Sequence, residues 1–240
     1  MGLLISVAGD DPGSGVRAGL QADAEMARRM GLRFLGIVAV ETEQGAEGLR
    51  AVRPRPAEEV GQQLREAMTE ALFTGEFALK TGALGNAAIV RAVADSLRDW
   101  EHEECVVIDP VRGASRRIES APPLLDEEGW EAMQAELFSL AHWVTPNQQE
   151  YGDGEAYTAA RGVLLTGGDA ETDEVIDRRV RPTPEREFRS PRLPGGEQLH
   201  GTGCRLSAAL AAAHVRGLSG DAAIEAARAA VAAWMSEQLA

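Results

Sequence analysis

The sequence predicts an α/β fold in a single domain, residues 1–240, with a mostly parallel central sheet covered by helices on both faces. Two observations lead there. Short apolar runs recur along the chain with stretches of helical spacing between them, and the 26 glycines fall mostly at the joins. A chain of 240 residues with 44% apolar side chains also buries enough surface to hold a core without metal or disulfide. Leu3–Ala8 is apolar except for Ser6 and reads as the first strand. A Gly/Asp/Pro turn follows, then a helix over Ala18–Met30 with Leu20, Ala24, Ala27 and Met30 as its buried stripe. A strand at Phe34–Val40 and a short strand candidate at Leu49–Val52 precede a proline-started helix from Pro56 to Phe73. Phe77–Leu79 is a further strand, Ile89–Leu97 a helix, and Cys105–Asp109 a strand ending in a carboxylate. After a loop at Arg112–Pro123 come a helix at Asp126–Leu140 and strands at Trp143–Thr145 and Val163–Leu165. Asp169–Leu199 is polar and broken, as a hairpin and loop would be, and two alanine-rich helices close the chain at Gly203–Val215 and Asp221–Leu239, with Asp221 as N-cap.

Composition excludes several classes of protein. A net charge of −14 argues against a nucleic-acid binder, whose affinity rests on clustered Lys and Arg. Lys80 is the only lysine, against 23 arginines, so no mechanism needing several lysines applies. The two cysteines, Cys105 and Cys204, make no disulfide framework, and the histidines at 102, 142, 200 and 214 match no zinc spacing. No window reaches the length of a membrane span, and the start lacks the basic residues of a secretory signal, so a cytoplasmic protein is expected.

Several segments carry chemistry. Gly9-Asp10-Asp11-Pro12-Gly13-Ser14-Gly15 follows a strand and opens a helix, where backbone amides can meet a polar ligand. As a dinucleotide fingerprint it is imperfect, since Gly13, Gly15 and Gly19 give GxGxxxG and two aspartates would repel a pyrophosphate. Lys80-Thr81 lacks the preceding glycine of a Walker A loop. His200-Gly201-Thr202-Gly203-Cys204 leads straight into an apolar helix; two glycines and a helix start form a cradle for phosphate, and the same position should ease ionisation of Cys204. The segment reads equally as a glycine-rich loop whose cysteine packs at a helix start. Asn147 and Glu150, three apart after a strand, are placed to bind hydrated Mg²⁺ or to form a capping box. Asp109 stands at the carboxyl end of a strand, where open α/β sheets bind ligands.

In order along the chain, Val7 to Pro12, Gly19 to Asp23, Lys80-Thr81-Gly82, Val107 to Val111, Val144 through Glu150, Leu165 to Gly168 and His200 to Ala209 resemble the hydroxymethylpyrimidine/phosphomethylpyrimidine kinases of thiamine biosynthesis, in the ribokinase-like superfamily. The resemblance implies a three-layer α/β/α ribokinase-like fold and transfer of the ATP γ-phosphoryl group to a pyrimidine. Carried onto this chain, it makes Cys204 the base and the amides of Gly201, Thr202, Gly203 and Cys204 the anion hole. Asp109 and Glu150 would organise Mg²⁺; Asn147, Thr166 and Gly168 would face ATP; Gly9, Asp23 and Glu41 would line the pyrimidine pocket. It also implies a homodimer. The chain departs from the pattern at Glu41, where the family has glutamine, and at Thr166, where it has lysine, with Arg205 or Arg112 as replacement cations. The crossover between Glu150 and Val163 is shorter than usual. A pyrimidine-binding protein of the same fold with weakened catalysis, and a kinase of pyridoxal-type vitamers, are the alternatives.

Overall fold

The computed structural model describes residues 1–11, 13, 18–45, 48–73, 75–100, 104–113, 121–170 and 172–240. Pro12, Ser14, Gly15, His102 and the Arg116-Arg117 pair of the expected loop lie outside the described residues. In chain order the elements are β1 (Leu3–Asp10), α1 (Gly19–Arg29), β2 (Arg33–Gly45), β3 (Gly48–Pro54), α2 (Ala57–Leu72), β4 (Phe77–Thr81), α3 (Ala87–Arg98), β5 (Cys105–Ile108), α4 (Glu127–Ala132), β6 (Trp143–Val144), α5 (Gln148–Tyr151), β7 (Val163–Leu165), β8 (Glu174–Arg181), β9 (Arg186–Pro191), α6 (Thr202–Val215) and α7 (Gly220–Leu239). Among the described residues, nine strands form one sheet in the order β3-β2-β1-β4-β5-β6-β7-β8-β9. The run from β2 to β7 is parallel, and antiparallel strands flank it at both edges.

Alternation along the strands sorts two cores, as it must when a parallel sheet is covered on both faces. Leu3, Ile5 and Val7 of β1 join Val60 and Leu64 of α2, Val90 of α3 and Trp130 of α4. Leu4 joins Met26 of α1, Ala208 to Ala213 of α6 and Trp234 of α7 in the second core. The result is the expected three layers. The small residues of α6 let its backbone run close to the sheet and to α7.

Local differences from the sequence reading have identifiable causes. The buried stripe of α1 includes Leu20, Ala22, Asp23, Met26 and Ala27, because α1 packs with Asp23 turned inward as well as its apolar face. Ser219, not Asp221, is the N-cap of α7; Asp221 lies inside the first turn and pairs with Arg179 and Arg186 of the β8–β9 hairpin at 2.7 Å each. The helix expected over 126–140 begins as drawn, with Asp126 accepting from the Gly129 amide, then loosens into a π turn at Met133–Leu137 and a 3₁₀ turn at Phe138–Leu140. The crossover between β6 and β7 is indeed short: α5 and one 3₁₀ turn, Glu155–Tyr157. An aromatic stack holds it in place of a full helix. Tyr157 stacks on Phe138 at 4.9 Å and on Tyr151 at 5.4 Å, and each such contact contributes about 1 kcal/mol beyond area burial.

Candidate active site

β1, β4, β5, β6 and β7 all end at one edge of the sheet, and α1 and α6 begin there. The approach between β1 and α1 requires glycine. Gly19 sits at φ +52, and a Cβ on it would lie 2.2 Å from the Gly9 carbonyl oxygen. This packing directs the Gly19 amide at Cys204, the third residue of α6. Gly201 caps α6 in the left-handed conformation at φ +71, and the first bond of the helical ladder runs from the Arg205 amide to the Gly201 carbonyl. The amides of Thr202, Gly203 and Cys204 thus precede the ladder, as anion-binding amides at a helix start do.

Beneath this turn lies a buried charge cluster. Lys80, fully buried on β4, donates to both oxygens of Asp23 at 3.1 and 3.0 Å and lies 3.8 Å from Asp109. Ser6 donates to Asp23 at 2.6 Å, and Ser207 donates to Asp109 at 3.2 Å. Burial pushes both carboxyls up and outweighs the pull of Lys80, and the charge of Asp23 raises Asp109 further. Burial alone would push Lys80 down, yet Asp23, Cys204 and Asp109 hold it above its ordinary range, so it stays charged. Cys204 does not ionise easily as the sequence implied. Burial first, then Asp109 and Asp23, push its thiol up to about 12, while Lys80 and the Gly19 amide oppose them. The helix start is present, but so are two neighbouring carboxylates that the sequence did not place there.

On the other side of Asp109, Asn147 and Glu150 form a reciprocal capping box on α5, at 2.9 and 3.0 Å. Glu150 also meets the field of Asp109: burial and then that charge raise its carboxyl to about 7, against backbone donors at Asn147 and Arg112. The charge of Asp109 thus reaches Glu150, while among the described residues no group of three or more His, Cys, Asp or Glu side chains is placed to hold a metal ion. Thr166 bridges to Asn147, its amide donating to the Pro146 carbonyl at 2.8 Å. The Gly167 amide donates to Asp177 of β8, which also pairs with Arg228 of α7. Arg192 holds the Gly168 carbonyl at 2.9 Å. The two replacement cations are engaged elsewhere: Arg112 pairs with Glu127 at 2.8 Å and stacks on Trp130, and Arg205 is fully buried against Glu25 and Trp234.

The structure therefore brings Gly9, Asp23, Asp109, Gly201, Thr202, Gly203 and Cys204 together around the starts of α1 and α6. Asn147, Glu150, Thr166 and Gly168 follow along the same edge. Asp23 enters as the buried anchor of Lys80 and not as a surface for a ligand, since it is 0% exposed and taken by Ser6 and Lys80. Glu41 lies across from Asp10 near the end of β2, half-exposed and paired with Arg55 at 2.9 Å. Sequence reasoning assigned no role to Lys80, Ser6 or Ser207. A lone lysine and a lone serine inside apolar strands were the available signal, because a buried charge persists only with partners.

A mostly parallel sheet between two helical layers, with an amide turn and a carboxylate at its carboxyl edge, defines a ribokinase-like α/β fold. Residues 11–153 and 155–240 match the phosphomethylpyrimidine kinase family model. A hydroxymethylpyrimidine/phosphomethylpyrimidine kinase of Streptomyces coelicolor is 30% identical over 94% of this chain and 86% of its own length. A crystal structure of a phosphomethylpyrimidine kinase from Clostridium difficile superposes with a TM-score of 0.74 at 21% identity, covering 99% of both chains. A pyridoxal kinase from Staphylococcus aureus, in complex with pyridoxal, reaches 0.79 at 24% identity over 96% of this chain and 86% of its own. The chain belongs to the phosphomethylpyrimidine kinase family, and it is a kinase. No helix among the described residues is long and apolar enough to cross a membrane.

Proposed function

We propose that this protein transfers the γ-phosphoryl group of ATP to hydroxymethylpyrimidine, to its monophosphate, or to both, in thiamine biosynthesis. The observation that carries the reading is the juxtaposition of Cys204 with Lys80, Asp109 and the Gly19 amide directly beside the amide turn at 201–204. Transfer of this kind needs positioning and charge neutralisation more than covalent chemistry. The amides of Gly201 to Cys204 hold the oxygens of the migrating group. With hydroxymethylpyrimidine, Cys204, as thiolate, takes the hydroxyl proton while that oxygen bonds to phosphorus and ADP departs; with the monophosphate, an ionised phosphate oxygen attacks and no proton need be removed. Lys80 stabilises that thiolate from below. Mg²⁺, held by Asp109 and Glu150, would offset the phosphate charge and the carboxylate field that adds to burial in keeping the thiol protonated. Asn147, Thr166 and Gly168 lie where the phosphates of ATP enter, and Gly9 and Glu41 border the acceptor.

A coupled ADP-release assay tests the reading, with hydroxymethylpyrimidine, its monophosphate and pyridoxal as acceptors and with Mg²⁺ varied. Turnover on the pyrimidines supports it; turnover on pyridoxal alone makes the protein a vitamer kinase; binding without turnover on any makes it a pyrimidine-binding protein. Within this reading Glu41→Gln raises kcat/KM for hydroxymethylpyrimidine, because an amide donates as well as accepts. An unchanged preference places Glu41 outside the pocket. The reading also carries the expectations of a homodimer, checked by light scattering, and of a cytoplasmic location.

A further inference from the structure

Arg205 follows Cys204 in the chain and is 0% exposed, an unusual state for the strongest base among side chains. Its guanidinium donates to the carbonyls of His200 and Gly201 at 3.0 and 3.1 Å and to Glu25 of α1 at 2.7 Å. Its central carbon also lies over the Trp234 ring of α7, 3.8 Å from the centroid. Trp234 in turn donates to the other oxygen of Glu25 at 3.1 Å, so the carboxylate is gripped from two sides. Arg29 stands beside Glu25 at 3.7 Å and pairs with Glu237 near the end of α7.

We propose that Arg205 is a positioning residue for phosphoryl transfer: its guanidinium ties back the two carbonyls of the 200–201 turn, so that the following amides face the migrating group. This inference rests on the phosphotransferase reading above. A carbonyl oxygen turned toward a phosphate repels it; the Gly201 carbonyl already accepts the Arg205 amide at the start of α6, and the Arg205 side chain adds a second donor there and holds the His200 carbonyl with it. One terminal nitrogen of the guanidinium donates to both carbonyls while the other donates to Glu25, and the planar frame fixes the angle between these two anchors, which a freely rotating ammonium does not. Glu25 cancels the charge of the fork, so Arg205 acts through geometry and not as a long-range attractor for ATP. Its burial between α1, α6 and α7 makes the turn a rigid extension of three helices.

The geometry predicts where the effect falls. A turn that meets the phosphoryl group mainly at the transition state, once loosened, lowers kcat and leaves KM for ATP nearly unchanged. Arg205→Met keeps the length and the apolar stem and removes the guanidinium; kcat should fall about tenfold to a hundredfold, below the roughly hundredfold to thousandfold of a deleted anion-hole donor because the amides themselves remain. Arg205→Lys should recover part of that loss, and Glu25→Gln, which frees the fork without removing it, should show a smaller fall in the same direction. Rates are taken per folded protein after melting curves, with amide hydrogen exchange followed over 199–206. In Arg205→Met the turn should exchange faster while β1 and β4 remain as protected as before.

A folded Arg205→Met protein with wild-type kcat and lowered melting temperature overturns the proposal, because it assigns Arg205 only to holding helices together. If Arg205→Met does not fold, Glu25→Gln decides by the same kcat and exchange criteria. If the unaltered protein phosphorylates none of the acceptors, the functional reading fails by itself. The exchange of the turn then still judges Arg205: unchanged protection there overturns its positioning role, and faster exchange confined to the turn upholds it.

Discussion

Around the starts of α1 and α6, side chains from distant parts of the chain lock one another: Ser6, Asp23, Lys80, Asp109 and Ser207 form one buried network spanning 98 residues between its last two members. Around α5 and the loop after β7, side chains hold backbone instead: a reciprocal capping box between Asn147 and Glu150, carbonyls of the loop held by Arg192, and the Gly167 amide held by Asp177, alongside a backbone bridge from Thr166 to Asn147. The first region is set before any ligand arrives and suits a step that needs exact placement. The second holds a carboxyl raised to about 7, so its charge changes near neutral pH. Rigidity and a titrating charge are thus divided between two halves of one sheet edge.

The largest test of this contrast is Lys80→Met. Removing the ammonium strands two buried carboxyls and should cost about 3–5 kcal/mol in urea unfolding, the scale for breaking a buried ion pair. A loss below about 1 kcal/mol would mean the carboxyls simply take up protons and the network does not hold this region together. Cys204→Ala should lower turnover about a hundredfold, or about 2.7 kcal/mol, while nucleotide binding measured by calorimetry stays near wild type. An unchanged rate removes the thiol from the chemistry.

The α5 side should respond more weakly and through pH. The Glu150 carboxyl is raised from 4.5 to about 7 in the folded chain, so the folded state binds the extra proton. Its contribution is therefore fully present below the unfolded value and is lost as pH rises through about 7. Without metal, Glu150→Gln should then be more stable than wild type at pH 8 by about 1–3 kcal/mol in urea unfolding and match it near pH 4, since glutamine also serves a capping box. Added Mg²⁺ should stabilise wild type and not the variant; equal stabilisation of both removes Glu150 from the cation site. The smallest effect is expected from Thr166→Lys. A cation restored beside the phosphates should lower KM for ATP about threefold, the scale of a partly solvated ion pair, with kcat unchanged.

Much of the edge was legible because strand ends and helix starts announce themselves locally. Asp109 at the end of an apolar run and Gly201-Thr202-Gly203-Cys204 before an alanine-rich helix needed no tertiary information to be singled out. The cap of α7 and the inward turn of Asp23 were not legible. Asp221 looks like a cap until the β8–β9 hairpin brings Arg179 and Arg186 against it. Asp23 looks like an interruption of a stripe until Lys80 appears opposite. Arg205 and Arg112 were expected near ATP because charge alone does not reveal which neighbour a guanidinium will find.

By itself the sequence determined the alternation of strands and helices, the glycine turn before α6 and the family, since each depends on short-range pattern and backbone freedom. Only the tertiary structure decided the ionisation of Cys204, the service of one lysine to two carboxylates and the tether on the 200–201 carbonyls. Those properties depend on desolvation and on distances between groups far apart in the chain, and both come into being only when the layers close.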